Sequence, residues 1–185
     1  MNKLLTIKDA EELSKDQIIK YFKNYINSNH AKIFSKFAWG NDLFEKAEGM
    51  YIYTKSGKKI LDFTGGVGVL NIGHNHQRIL DARIKFQKAK RMEVHKLVFS
   101  PYLAALSRNI AQLMPEDINK TFICNSGAEA VEGAMKLAYK YYNGKRKKIL
   151  HSDISYHGKL IASGSISGQE NYKDNFQKIT NIDQF

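Results

Sequence analysis

Two short stretches carry side chains whose types and spacing could do chemistry. The first is Asn125-Ser126-Gly127-Ala128-Glu129-Ala130. Ser126 and Glu129 have the spacing of a capping box, so a helix is expected to start here. The first turn of a helix offers unbonded backbone N–H groups and the positive end of its dipole. Gly127 and Ala128 are small enough to let an anion approach those amides, and Ser126 adds a hydroxyl. The pattern describes a seat for a phosphate, although any α/β domain also needs ordinary caps of this kind. The second stretch is Tyr156-His157-Gly158-Lys159. An aromatic residue at a strand end, beside a phosphate-binding helix, is placed to stack on a planar ring. In open α/β sheets ligands collect at the C-terminal strand ends, where both stretches would lie. Read by itself, the same segment is a loop aromatic with a surface histidine.

A third stretch runs from Thr64 to His76 and holds four glycines in the nine positions from 65 to 73. Such density implies unusual backbone angles or close approach by another group. His74 and His76 lie two apart in it. A zinc site needs a third and usually a fourth ligand, and the single Cys124 builds no motif with them, so no metal is expected. There is no Ser-His-Asp arrangement and no Walker-type loop, and no catalytic residue is assigned within the chain.

Several elements must position these stretches. Ser14 and Gln17 at capping-box spacing, with Ile18, Phe22 and Ile26 at helical spacing, predict an amphipathic helix over 14–27. Phe34, Phe37, Trp39 and Phe44 follow without periodicity, as core or subunit contact. Tyr51-Ile52-Tyr53 and Lys59 to Phe63 flank Ser56-Gly57, the signature of a β-hairpin. A helix is expected over about 76–92. Ser100-Pro101 opens another, with Leu103, Leu106, Ile110 and Leu113 as its apolar stripe. A strand, Thr121 to Cys124, leads into a helix from Ser126 to about Tyr142, ended by Gly144. Val131, Met135, Ala138 and Tyr142 form a stripe expected in the core, with Lys136 and Lys140 solvated. Ile149-Leu150 is a second short strand, and the last twenty residues are polar and weakly patterned. The order helix, strand, helix, strand predicts parallel pairing in an α/β sheet.

Composition narrows the function classes. The 185 residues are 43% hydrophobic and 25% charged, an ordinary globular balance that excludes a disordered tail or a disulfide scaffold. The net charge is +11, but only 5 of the 29 basic residues are Arg. Arg is the usual residue for bidentate phosphate and base contacts, so the excess of Lys reads as a solvated surface and no nucleic-acid partner is expected. Cys124 stands alone, which forbids an intrachain disulfide and fits a reducing compartment. No stretch approaches the roughly 20 apolar residues of a membrane helix. The start shows no signal-peptide pattern, and the expectation is a cytoplasmic protein with no membrane partner.

Taken together, the motifs resemble the N-terminal part of a class III aminotransferase, a fold type I enzyme dependent on pyridoxal 5′-phosphate. Four stretches carry the likeness in the family's order: Glu48 to Tyr53 with Gly57 and Leu61-Asp62; the glycine-rich loop from Gly65 to His76; Asn125 to Ala138; and Ser155 to Lys159. Ser165 to Gly168, with Tyr172 and Phe176, also looks familial. The likeness covers about residues 36 to 176. It implies a partial α/β fold: residues 1–63 as an N-terminal helix, aromatic segment and β-hairpin belonging to a small domain, and residues 64–185 as the beginning of the cofactor-binding large domain.

The resemblance also implies roles. Ser126, Gly127 and Ala128 would hold the cofactor phosphate, Tyr156 would stack on the pyridine ring, and His157 would lie beside it. Val67 and Gly68 would border the substrate, often in the partner subunit's site. Family members are usually homodimers or tetramers whose substrates are small amines or amino acids and oxo acids. Two departures stand out. Family chains are more than twice as long, and no Asp-Glu-Val occurs here to pair the pyridine nitrogen. None of the lysines has the family's Schiff-base context. The chain alone is therefore expected to be inactive, the alternative being a non-catalytic short homologue that partners or scaffolds a full-length or split enzyme. Lys159 stands where acetylornithine-type members often carry Arg, which disfavours that substrate.

Overall fold

The computed structural model describes residues 4–37, 40, 42–93, 97–146 and 148–168, and the backbone of 183–184. Trp39 and the expected familial residues Tyr172 and Phe176 lie outside these. The chain forms two compact units, Met1–Val94 and His95–Phe185.

In the first unit, local capping starts each early helix. Thr6 caps Ile7–Glu11 and Ser14 caps Lys15–Tyr21, each with a reciprocal bond from the residue three positions on. The predicted helix over 14–27 is not continuous. It widens into a π-turn at Phe22–Ile26 and stops at Asn27, whose carboxamide oxygen accepts from Asn29 and His30 N–H at 2.8 and 3.1 Å. Asn27 is committed to capping Ser28–Phe34, so it cannot extend the helix before it.

The hairpin forms where it was expected. β2 (Tyr51–Thr54) pairs antiparallel with β3 (Lys59–Leu61), matching Ile52 to Ile60. A strand that patterning missed, β1 (Phe44–Glu48), pairs on the other side of β2 to give a three-stranded sheet. Its sequence, Phe-Glu-Lys-Ala-Glu, lacks the β-branched residues that mark strands, and the β2 edge recruits it. Phe34, Phe37 and Phe44 are 46%, 42% and 53% exposed, so the aromatic segment is not core within this chain. The helix Gln77–Lys88 follows the glycine-rich loop, with His76 at its N-cap position.

In the second unit, Ser100 Oγ accepts from Leu103 N–H at 3.2 Å and caps Pro101–Leu113, as the Ser-Pro pair predicts. The helix Gly127–Tyr141 is rich in Ala, Glu and Lys, all good helix formers. Gly133 interrupts that composition for a packing reason: a Cβ there would stand 3.1 Å from the Phe122 ring. The helix ends in a Schellman motif, with Asn143 N–H bonded to Lys140 O and Gly144 N–H to Tyr139 O, each at 3.0 Å. Asn143 takes the first left-handed position, φ 49°, one residue ahead of the expected Gly144.

Three expectations for this unit are corrected. Residues 121–124 join no ladder, because no described strand lies alongside them, and a strand exists only with a partner. The parallel pair is instead β4 (Leu150–His151) with β5 (Asp183–Gln184), the latter inside the segment read as weakly patterned. The stripe Val131, Met135, Ala138, Tyr142 is not buried: Val131 and Met135 are half-buried, Ala138 and Tyr142 exposed. Among the described elements it is the short helix Ile161–Ser165 that packs on this helix, which leaves Ala138 and Tyr142 exposed. Among the described residues the buried apolar side chains are Ala31 and Ile166 alone, and Leu113, Leu137 and Tyr141 are 85%, 70% and 78% exposed.

Candidate cofactor site

The second unit brings the two chemistry-bearing stretches together. A cleft of about 550 Å³ is lined by Ser126, Gly127, Ala128, Val131 and the run Tyr156 to Leu160. All five residues expected to hold a cofactor, Ser126, Gly127, Ala128, Tyr156 and His157, line it. Ser126 adopts an extended backbone, φ −151° and ψ 160°, and its Oγ accepts from Glu129 N–H at 3.2 Å. The capping box is displaced by one residue, however. Glu129 Oε2 accepts from Asn125 N–H at 2.6 Å rather than from Ser126 itself.

The N–H groups of Gly127 and Ala128 begin the helix and have no acceptor in the preceding turn. A Cβ added at Gly127 would meet nothing within 4 Å, so no neighbouring group crowds Gly127 at the helix start. A phosphate fits this cradle: two N–H donors, a dipole of the right sign and no side chain in the way. Tyr156 is 54% exposed and lines the same cleft, where its ring can cover a planar heterocycle. The residues present therefore fit the phosphate and ring of pyridoxal phosphate.

What holds the two stretches against each other was not visible in the motifs. Gly158 sits at φ +121°, and a Cβ there would lie 2.5 Å from Ala128 Cβ and 3.0 Å from Ser163 Oγ. Only glycine lets the loop lie this close to the helix start. Ser167, fully buried, accepts from His157 N–H through its Oγ at 3.0 Å, and its hydroxyl reaches Ser163 O at 3.2 Å and Gly158 O at 3.4 Å. Glu132 Oε1 accepts from Ser163 N–H at 2.9 Å, tying the short helix to the long one. The serine-glycine run 163–168 is thus the packed knot behind the cleft. Ser165 to Gly168 carry part of the family likeness, but small residues in a row do not by themselves name what they pack against.

Val67 and Gly68 lie in the first unit, on the glycine-rich loop. Gly65, Gly66, Val67 and Gly68 all have positive φ, from 50° to 80°, one turn of left-handed backbone. Asp62 sits at its entrance and His74 at its exit, with His74 Nε2 and Asp62 Oδ2 2.7 Å apart. Residue type and spacing do not name this pair, because Asp62 and His74 stand twelve positions apart. No group of three or more metal-ligating side chains occurs among the described residues.

Hydrogen bonds from Thr64, and next from His74, hold the Asp62 carboxyl well below the usual carboxylate range. A folded-state value lowered in this way stabilises the loop fully above the unfolded value of about 4 and loses that contribution as pH falls below it. A carboxyl-protonation step in the Asp62 side-chain carbon resonance should therefore appear only in acid below about pH 4, and such a step at or above that pH would contradict this.

Comparison with known proteins decides the family. The Aminotransferase class-III family profile matches residues 39–184. The chain belongs to the class-III aminotransferase family. Among its relatives, an acetylornithine aminotransferase of Agrobacterium fabrum is 35% identical over 159 residues, covering 83% of this chain and 39% of that protein. The aminotransferase PigE of a Serratia species is 32% identical over 171 residues, 92% of this chain and 20% of its own length. An (S)-enantioselective omega-transaminase from Thermomicrobium roseum superposes with a TM-score of 0.79 at 22% identity, over 93% of this chain and 40% of that one. That likeness shows the fold: part of a fold type I transaminase, mixed α and β. The chain spans about 40% of the length of the acetylornithine aminotransferase it matches. The family depends on pyridoxal 5′-phosphate, and a fold neighbour, a taurine:2-oxoglutarate aminotransferase from Bifidobacterium kashiwanohense, was solved in complex with it. Among the described residues no helix is long and apolar enough to cross a membrane.

Proposed function

We propose that this chain supplies the phosphate- and ring-binding part of a class-III aminotransferase site. Ser126, Gly127 and Ala128 take the cofactor phosphate, Tyr156 covers the ring and His157 lies beside it. Bound pyridoxal phosphate supplies the electron sink that lets an amino group leave one carbon skeleton for another. The protein's reaction is the transfer of an amino group from an amine or amino acid to a 2-oxo acid or aldehyde. Val67 and Gly68 border the substrate, in a homodimer or tetramer from the neighbouring subunit. Residues 1–63 are part of the small domain and 64–185 begin the large one, in a cytoplasmic enzyme. By itself the 185-residue chain lacks the lysine and the Asp-Glu-Val aspartate and does not turn over.

The single observation that carries this reading is the cleft. Residues 126–128 and 156–157, about thirty positions apart, line one space at the first turn of a helix. Titrating the chain with pyridoxal phosphate and with pyridoxal tests it. The phosphate-bearing form should bind at least tenfold more tightly, and inorganic phosphate should compete with it. Equal binding of the two would remove the phosphate from the helix start. Amine-dependent turnover by the isolated chain would overturn its inactivity.

The open apolar faces of Pro101–Leu113 and Gly127–Tyr141 favour a second reading, a short partner or scaffold for a full-length or split aminotransferase. Co-expression with such a chain should then give a stable, monodisperse complex, and failure to copurify would count against it.

A further inference from the structure

The glycine-rich loop has a conformation that must be held. Glycine takes positive φ freely, but Val67, φ 64° and ψ 45°, is β-branched and pays about 1–2 kcal/mol for the left-handed region. Val67 is 92% exposed, so its own packing does not offset that cost. The bonds that do lie at the loop's two ends and meet on one carboxylate. Asp62 Oδ1 accepts from Thr64 N–H at 2.8 Å, Thr64 Oγ1 at 2.7 Å and Gly65 N–H at 3.1 Å. Asp62 Oδ2 takes His74 Nε2 at 2.7 Å. A carboxylate at neutral pH only accepts, so Nε2 carries the proton. The side chains of His74 and Asp62 are 19% and 5% exposed, which shields the bond from water. His74 is itself anchored, its backbone exchanging bonds with Gly49 at 2.9 and 2.7 Å. The residue entering the turn and the residue leaving it are thus tied through a single side chain to the sheet.

We propose that Asp62 and His74 are positioning residues that set the left-handed turn presenting Val67 and Gly68. They touch no ligand and act through the turn. The proposal rests on the reading above that this loop borders the substrate. Its geometric half stands or falls separately.

Amide hydrogen exchange in the 185-residue chain tests it. The amides of Gly68, Val69 and Leu70, bonded within the turn to the Thr64 and Gly65 carbonyls, report its geometry, and Thr54, bonded to Lys58, reports the hairpin. In Asp62→Asn and in His74→Leu the three loop amides should exchange at least tenfold faster while Thr54 stays within twofold. His74→Gln keeps an N–H donor and should recover most of the protection that His74→Leu loses. Unchanged loop exchange, equal acceleration of Thr54, or no difference between Gln and Leu at position 74 would each overturn the proposal. If Asp62→Asn does not fold, Thr64→Val removes only the hydroxyl bond and is judged by the same criteria. Adding pyridoxal phosphate with an amino-acid substrate to the assembled oligomer tests the underlying reading, and unchanged exchange at Gly68, Val69 and Leu70 there counts against the loop's place at the site and leaves the positioning result to the variants.

Discussion

Gly158→Val is expected to cost the chain at least a hundredfold in affinity for pyridoxal phosphate. The first added carbon would stand 2.5 Å from Ala128 Cβ, 3.0 Å from Ala128 Cα and 3.0 Å from Ser163 Oγ, the first two of which cannot move without the helix backbone. The backbone at φ +121° is a second obstacle, one that L residues rarely adopt. Overpacking and backbone strain each cost about 1–3 kcal/mol. The loop has a cheaper escape, which is to leave the helix. That movement carries Tyr156 and His157 away from Ser126 to Ala128 and divides the cleft. A hundredfold loss corresponds to about 2.7 kcal/mol, within the strain the substitution introduces. Gly158→Ala should show a smaller version of the same loss. Circular dichroism should report the long helix intact in both, because its cap at Ser126 and its C-terminal motif are untouched. Wild-type affinity in Gly158→Val would mean that the loop does not form one wall of the ligand site.

The second large effect is expected from Gly127→Asp, which separates the helix from the anion seat. A side chain at Gly127 enters open space, so the substitution meets no steric penalty. A carboxylate in the first turn interacts favourably with the helix dipole, by about 0.3–1 kcal/mol. Helix stability should hold or rise. A phosphate approaching the same amides would instead meet a negative charge, and two unit charges 4 Å apart repel by about 4 kcal/mol near a protein surface. Affinity for pyridoxal phosphate should fall at least a hundredfold, while affinity for pyridoxal, which lacks the phosphate, changes little. Gly127→Asn has nearly the same shape without the charge and should lose no more than about tenfold. If Asp and Asn behave alike, the phosphate is not at this helix start.

The parts of the fold that were legible in the sequence share one property: their causes lie within a few residues. Ser14, Ser100 and Ser126 cap helices because a side-chain oxygen reaches an amide three positions on. Ser56-Gly57 turns the hairpin because glycine allows the positive φ, 86° at Gly57. The residues that line the cleft were legible for the same reason. Small residues at a helix start and an aromatic at a strand end are local patterns, and the family motifs repeat them.

What escaped the sequence depends on neighbours that no local pattern names. β1 has the composition of a loop and becomes a strand because the β2 edge is there to pair with it. Residues 121–124 have the composition of a strand and lack a partner among the described residues, so no ladder forms. The apolar stripe on Gly127–Tyr141 reads as core, but an amphipathic face is buried only when something packs on it, and among the described residues little does.

The same division runs through the site. Sequence alone named the side chains that could do chemistry and the place where a helix able to seat an anion begins. Only the tertiary structure decided that Gly158 lies against Ala128, that Ser167 braces the loop from behind, and that Asp62 and His74 close the glycine-rich turn. These contacts join residues ten to thirty positions apart. Their energy comes from exclusion, burial and hydrogen-bond geometry in three dimensions, which residue type and spacing do not encode.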